Sequence, residues 1–176
     1  MENISQNFLR GNKNVKTPNV TEHVSIKEYK RRVSEIVRCK NDPIYFANNY
    51  YTIVSVRDSC KKIIELYPKQ QDLLSLMVNE SRVVTLASRQ SGKTTAYCIF
   101  VLWVALFNQD KNILICANKE ATSLEFIARI KLAYELLPLW LKPGIEVDGW
   151  NKKSIKFSNG CKISGMATSS DSGRSQ

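Results

Sequence analysis

A chain of 176 residues, 43% hydrophobic and 24% charged, is long enough for one core with a helical appendage and too short for two full catalytic domains, and its composition excludes wholesale disorder. Its formal charge of +10, from 26 Lys and Arg against 16 Asp and Glu, favours a polyanionic partner, nucleic acid before an acidic membrane surface. Five dispersed cysteines without a CxxC pair and one histidine, His23, argue for reduced thiols and against zinc, and the chain shows neither the apolar core of a signal peptide nor the ~20 apolar residues of a membrane span.

Residues 1–22, rich in Asn, Lys and Thr, read as a flexible basic arm. In SIKEYKRRVSEIVRCK, 25–40, the residues Ile26, Tyr29, Val33, Ile36 and Val37 fall at helical spacing with the charges on the other face, which predicts an amphipathic helix whose basic side either touches DNA or is simply solvated. Asn41-Asp42-Pro43 ends it and starts another element, IYFANNYY, ahead of a β-like TIVSV at 52–56; together 23–65 form an N-terminal helical or lid region. LYPKQQDLLSLMVNE, 66–80, is a turn and then a helix with Leu73, Leu74, Met77 and Val78 facing in. RVVTLA, 82–87, is a run of buried-strand type; the loop SRQSG follows, then a helix from Lys93 or Thr94 to about Phe107.

KNILICANK, 111–119, reads as a fully buried strand, because an apolar run without alternation is what a parallel sheet covered on both faces shows. A helix from about Ala121 to Leu137 comes next and stops before Pro138. Strand, helix, strand, helix at this spacing predicts βαβ units with right-handed parallel crossovers. SIKFSNGCKIS, 154–164, is a hairpin around Asn159-Gly160, and the polar SSDSGRSQ closes the chain.

The stretch that carries chemistry is TLASRQSGKTT. Backbone amides of a glycine-bearing turn and of the following helix start point at phosphates, a lysine there reaches the β and γ positions, and the hydroxyl after it ligates magnesium. Gly92, Lys93 and Thr94 have this order between an expected strand and a helix, and Gly92 is expected to keep the phosphate path clear. Ala87 stands where the usual pattern has its first glycine. Arg89, inside the loop, is placed to offset charge on a γ-phosphoryl group, or to contact a neighbouring subunit or DNA, or to pair with a surface acid. Gln70, 20 residues before Gln90, has an amide able to read adenine, though a glutamine at a helix start is common for other reasons.

LYPKQQDLL, TLASRQSGKTT, ILICANK and LLPLWLKPGIEVDGWNKKSIKFSNG together resemble the N-terminal ATPase domain of the large terminase subunit of tailed phages, the T-even-like group above all, over roughly residues 42–172. The resemblance implies an α/β fold: an incomplete P-loop NTPase in 66–176 with a partial, mostly parallel sheet, behind the N-terminal helical region and with a small C-terminal hairpin. It implies an ATP-driven motor that moves double-stranded DNA into a procapsid, working as a ring of identical subunits on the portal protein with a small terminase subunit as a further partner. Its place is the cytoplasm of the infected bacterial host, transiently at the procapsid portal, with no membrane. On this resemblance ATP and Mg2+ are the cofactors, Ser88, Arg89, Gln90, Ser91, Gly92, Lys93, Thr94 and Thr95 form a deviant Walker A loop, and Gln70 contacts adenine. Lys93 binds phosphates, Thr94 the metal, and Arg89 triggers hydrolysis.

The family also places an apolar run ending in Asp-Glu downstream of the hairpin, to orient the metal and activate water. Here the later acids are Glu120, Glu125, Glu135, Glu146, Asp148 and Asp171, and none follows such a run; Glu120 reads as a helix start. Gly173-Arg174 reverses the family's arginine-glycine pair. The chain is therefore expected to be about the first third of a terminase large subunit, without its nuclease domain, binding ATP weakly or not at all and turning it over near background. Two other readings stay open at this point: a P-loop DNA helicase fragment, and a non-enzymatic DNA- or portal-binding module.

Overall fold

Ser25 starts the first helix, α1 (Ile26–Asn41), by accepting the Glu28 amide on its hydroxyl at 3.2 Å. The computed structural model describes residues 25–55 and 60–168, so the expected arm 1–22, Asp171, Gly173 and Arg174 lie outside the described residues. Asp42 ends α1 and caps α2 (Pro43–Tyr50), its Oδ1 accepting from the Ile44 and Tyr45 amides at 2.8 and 2.9 Å while Pro43 opens the helix. The Asn-Asp-Pro break is thus where the sequence puts it. An antiparallel ribbon of β1 (Thr52–Ser55) and β2 (Cys60–Ile63) follows, then α3 (Pro68–Asn79) and α4 (Lys93–Phe107). After these come β3 (Asn112–Ala117), α5 (Glu120–Leu136), a 3-10 turn (Leu139–Leu141), β4 (Ile145–Asn151), β5 (Ser154–Phe157) and β6 (Lys162–Ala167).

Helix α4 is the centre of the molecule. It packs against α2, α3 and α5 and buries Ala96, Cys98, Ile99, Leu102, Ala105, Leu106 and Phe107, which leaves it almost no wet face. Phe107 meets Phe46 of α2 edge-on at 5.7 Å, and the Trp103 indole donates to the Cys39 carbonyl of α1 at 2.8 Å. On the other side Ile127, Ile130, Ala133 and Tyr134 of α5 join Ile155, Phe157 and Ile163 of the sheet in the same core. Burial in this core pushes the thiols of Cys39 and Cys98 up to about 12, so neither offers a thiolate.

The larger sheet has the order β3-β6-β5-β4. Only β3 and β6 run parallel, in the register Asn112↔Lys162 to Ala117↔Ala167; β5 is antiparallel to both β6 and β4. The expected mostly parallel sheet is therefore a mixed one. The physical reason is short connections: β4 to β5 and β5 to β6 are joined by tight turns, which permit only antiparallel neighbours, whereas β3 reaches its parallel partner through α5 and the whole of β4 and β5. Strand β4 has no counterpart in the sequence reading.

Three expectations about burial fail for related reasons. Segment 82–87 belongs to no sheet among the described residues: Val83 and Thr85 are half-buried, and Val84 and Leu86 are fully open at 99% and 103%. A strand needs a neighbour for its backbone, and this segment has none there; its ties to α4 are the Tyr97 hydroxyl, which donates to Thr85 Oγ1 at 2.8 Å, and the Lys93 ammonium, which donates to the Ala87 carbonyl at 3.4 Å. Strand β3, expected fully buried, alternates instead, with Asn112, Leu114 and Cys116 exposed, because among the described residues nothing packs on its second face. In α3, Gln70, Leu73, Leu74 and Met77 form the stripe towards α4, and Val78 lies one position beyond it in solvent.

Helix α1 is amphipathic, and it turns four of its five spaced apolar residues outward. Cys39 is its buried residue, and Glu28, Arg32, Glu35 and Ile36 are the half-buried ones on that side, while Ile26, Tyr29, Val33 and Val37 are exposed. Polar partners set the rotation: Glu35 Oε2 accepts from the hydroxyls of Tyr45 and Tyr50 at 2.9 and 2.8 Å, which holds its carboxyl below the usual range.

The Asn159-Gly160 hairpin turn is where the sequence puts it. Gly160 has φ +80, and a Cβ there would sit 2.0 Å from Asp110 Oδ1. Asn159 fastens the turn to the end of α4: its Nδ2 donates to the carbonyls of Ala105 and Asn108 at 2.7 and 2.9 Å, and its Oδ1 accepts from the Cys161 amide at 3.1 Å. Asn159→Ala is expected to cost roughly 2–3 kcal/mol by urea titration, since three hydrogen bonds go at once. Asn159→Asp should be no better, because it keeps only the acceptor and puts a negative charge at a helix C-terminus.

A candidate phosphate-binding loop

Between Leu86 and α4 the chain bends through two residues of positive φ, Gln90 at 61° and Gly92 at 76°. Gly92 is the N-cap of α4; no side chain caps this helix start and its first turn holds no acid. The amides at the first turn and the positive end of the helix dipole are thereby left to suit an anion. The Lys93 ammonium donates to the Ser88 carbonyl at 2.8 Å and to the Ala87 carbonyl at 3.4 Å, which draws the start of the loop towards the helix. Arg89, Gln90 and Ser91 are exposed, and Thr94 and Thr95 are half-buried beside Lys93.

Gln70 sits beneath this loop and is only 4% exposed. Its Oε1 accepts from the Tyr67 backbone N–H at 3.0 Å, and the Gln70 backbone N–H donates to the Tyr67 carbonyl at 2.9 Å, so the residue caps α3. Its Nε2 donates to the Gly92 carbonyl at 3.0 Å, which also accepts from the Ala96 amide at 3.2 Å. A Cβ at Gly92 would lie 2.4 Å from Gln70 Nε2. Glycine is required here by its φ and by this amide, a different reason from the clear phosphate path that the sequence suggests. Reading adenine would require the Gln70 amide to release at least one of its present partners.

The structure brings Gln70 and loop 88–95 together, as their order in the sequence cannot. Tyr97 and Thr85, which tie the segment before the loop to α4, were missed, and their only signal is a hydroxyl pair across the loop. Of the later acids, Glu120 is the first residue of α5, as expected, and pairs with Lys153 at 2.7 Å, whose hydrogen bond holds the carboxyl below its ordinary range. Glu125 pairs with Arg129 on the same helix at 2.5 Å. Among the described residues there is no trio of His, Cys, Asp or Glu disposed to hold a metal ion.

Fold and site together describe an α/β protein in which a lysine-bearing turn opens onto a bare helix start. Residues 84–176, just over half of the chain, match the family described as terminase large subunit, T4likevirus-type, N-terminal. The chain belongs to that family, whose general function is that of the DNA-packaging ATPase, and the helicase reading is set aside. The match contains the whole loop 88–95, whereas Gln70 and helices α1 to α3 precede it.

Proposed function

We propose that this chain carries the phosphate-binding part of the ATPase motor of a phage terminase large subunit, the machine that moves double-stranded DNA into the procapsid at the portal with a small terminase subunit as partner. The observation that carries this reading is Lys93 at an uncapped helix start preceded by Gly92 in the left-handed conformation. Residues 66–176 make the ATPase part, a P-loop type domain with a mixed sheet, and 23–65 its helical lid region. The donor set fits a triphosphate: Lys93 exchanges its bonds to the Ser88 and Ala87 carbonyls for phosphate oxygens, and the first-turn amides of α4, which no side chain caps, would donate to further oxygens. Magnesium, when bound, supplies charge screening for the phosphates. Thr94 is the residue of this chain that would face it, and Arg89 would offset charge on the terminal phosphoryl group. Gln70 selects adenine if its amide turns from Gly92. Glu120 is held by Lys153 and Glu125 by Arg129, and turnover of ATP by the given chain is expected near background.

The test is binding of a fluorescent ATP analogue by the full chain, with inorganic tripolyphosphate as competitor. Lys93→Ala is expected to weaken binding by about tenfold or more, because a charge-assisted contact to phosphate goes. Equal binding by wild type and Lys93→Ala would sink the site assignment. Turnover above background that disappears with Lys93→Ala would overturn the claim of near-background activity while leaving the site in place.

A further inference from the structure

We propose that the outer face of α1 is a docking surface for an acidic amphipathic helix of a partner protein. Ile26, Tyr29, Val33 and Val37 follow one another at intervals of three, four and four residues, which aligns them along one side of the helix over ~16 Å. All four are exposed, Ile26 at 77%, Tyr29 at 50% and Val37 at 48%, so the helix turns its apolar seam away from its own core. A narrow seam of this spacing is what one helix presents to another in a coiled-coil pair; a helix lying in a lipid surface shows a broader apolar face.

Charge selects the partner. Lys27, Lys30 and Lys40 are exposed on the same helix and have no partner among the described residues. Both acids of α1 are already engaged: Glu28 binds Arg31 and Arg32 at 2.8 Å, and Glu35 is held by Tyr45 and Tyr50. The outer face is therefore apolar and basic with no acid to complement itself, so a second copy of α1 would set lysine against lysine. A helix with apolar seam positions and flanking Glu or Asp satisfies both features at once. DNA would satisfy the lysines alone and leave the four apolar side chains in water.

The probe is a fluorescein-labelled peptide of about three heptads with Leu at the seam positions and Glu beside them, titrated into the full chain and read by anisotropy. The acidic Leu peptide is expected to bind, about tenfold more weakly to Val33→Asp and to the pair Lys27→Glu, Lys30→Glu. Ile26→Asp, at an even more exposed position, must repeat the effect, and circular dichroism of each variant must match wild type. Equal binding of a control peptide with Ser at the seam positions would overturn the proposal in favour of simple polyanion attraction. Equal binding of a Lys-flanked Leu peptide would overturn the charge argument. No binding, competition by anionic vesicles that survives Val33→Asp, or self-association of the chain removed by Val33→Asp would also overturn it.

Discussion

Gly92→Ala is expected to be strongly damaging, costing roughly 2–4 kcal/mol of stability and with it the loop geometry. Two effects combine at one atom. The left-handed φ of +76 at Gly92 carries a penalty of ~1–2 kcal/mol for any residue with a Cβ. The new methyl would also stand 2.4 Å from Gln70 Nε2, so the amide must leave the Gly92 carbonyl, and a buried donor without an acceptor costs about 1–3 kcal/mol. Gln70→Ala alone removes the cap on Tyr67 and the bond to Gly92, and is itself destabilising. In the double variant the methyl no longer meets an amide, so the two losses should fall short of their sum by about 1 kcal/mol or more. Urea titrations of the four proteins measure this directly. Strict additivity would mean that Gln70 does not support the loop.

The second large effect is on association rather than folding. Val84 and Leu86 are fully exposed in a β-prone segment that has no sheet partner among the described residues, and β3 shows Leu114 and Cys116 on its uncovered face. Such a window templates pairing between chains. Wild type is expected to self-associate at micromolar concentration, and Val84→Lys with Leu86→Lys should raise the soluble monomer several-fold, read by sedimentation velocity and light scattering. The same pair should leave the unfolding midpoint nearly unchanged, within about 0.5 kcal/mol, because neither side chain is buried. A wild-type chain that is monomeric and unfolds cooperatively would count against an uncovered apolar face here.

Local signals proved reliable where the cause is local. Asp42-Pro43 caps and opens a helix through bonds within three residues, and Asn159-Gly160 turns the hairpin through its own backbone. The limits of α4 and α5 follow from glycine, proline and apolar runs in the same way. Signals that assumed a neighbour were less secure. RVVTLA and NILICA both look like buried strands because apolar runs imply cover on two sides, and among the described residues β3 is covered on one side and RVVTLA pairs with no strand. The apolar residues of α1 imply an inward face for the same reason, and hydrogen bonds from Tyr45 and Tyr50 to Glu35 rotated the helix the other way.

The candidate site divides along the same line. Order along the chain is enough to place Gly92, Lys93 and Thr94 at a helix start, since the chemistry of that motif lies within a few consecutive residues, and several ordered blocks are enough to point to the family that residues 84–176 match. Tertiary structure alone decided that Gln70 is buried under the loop with its amide on Gly92, that Lys93 rests on the Ser88 and Ala87 carbonyls, and that α1 faces its apolar seam outward. The Gln70 contact joins residues 22 apart in sequence, the Lys93 contacts depend on how the loop folds back on itself, and the rotation of α1 is chosen by competing partners; none of these leaves a periodic trace in the amino-acid order.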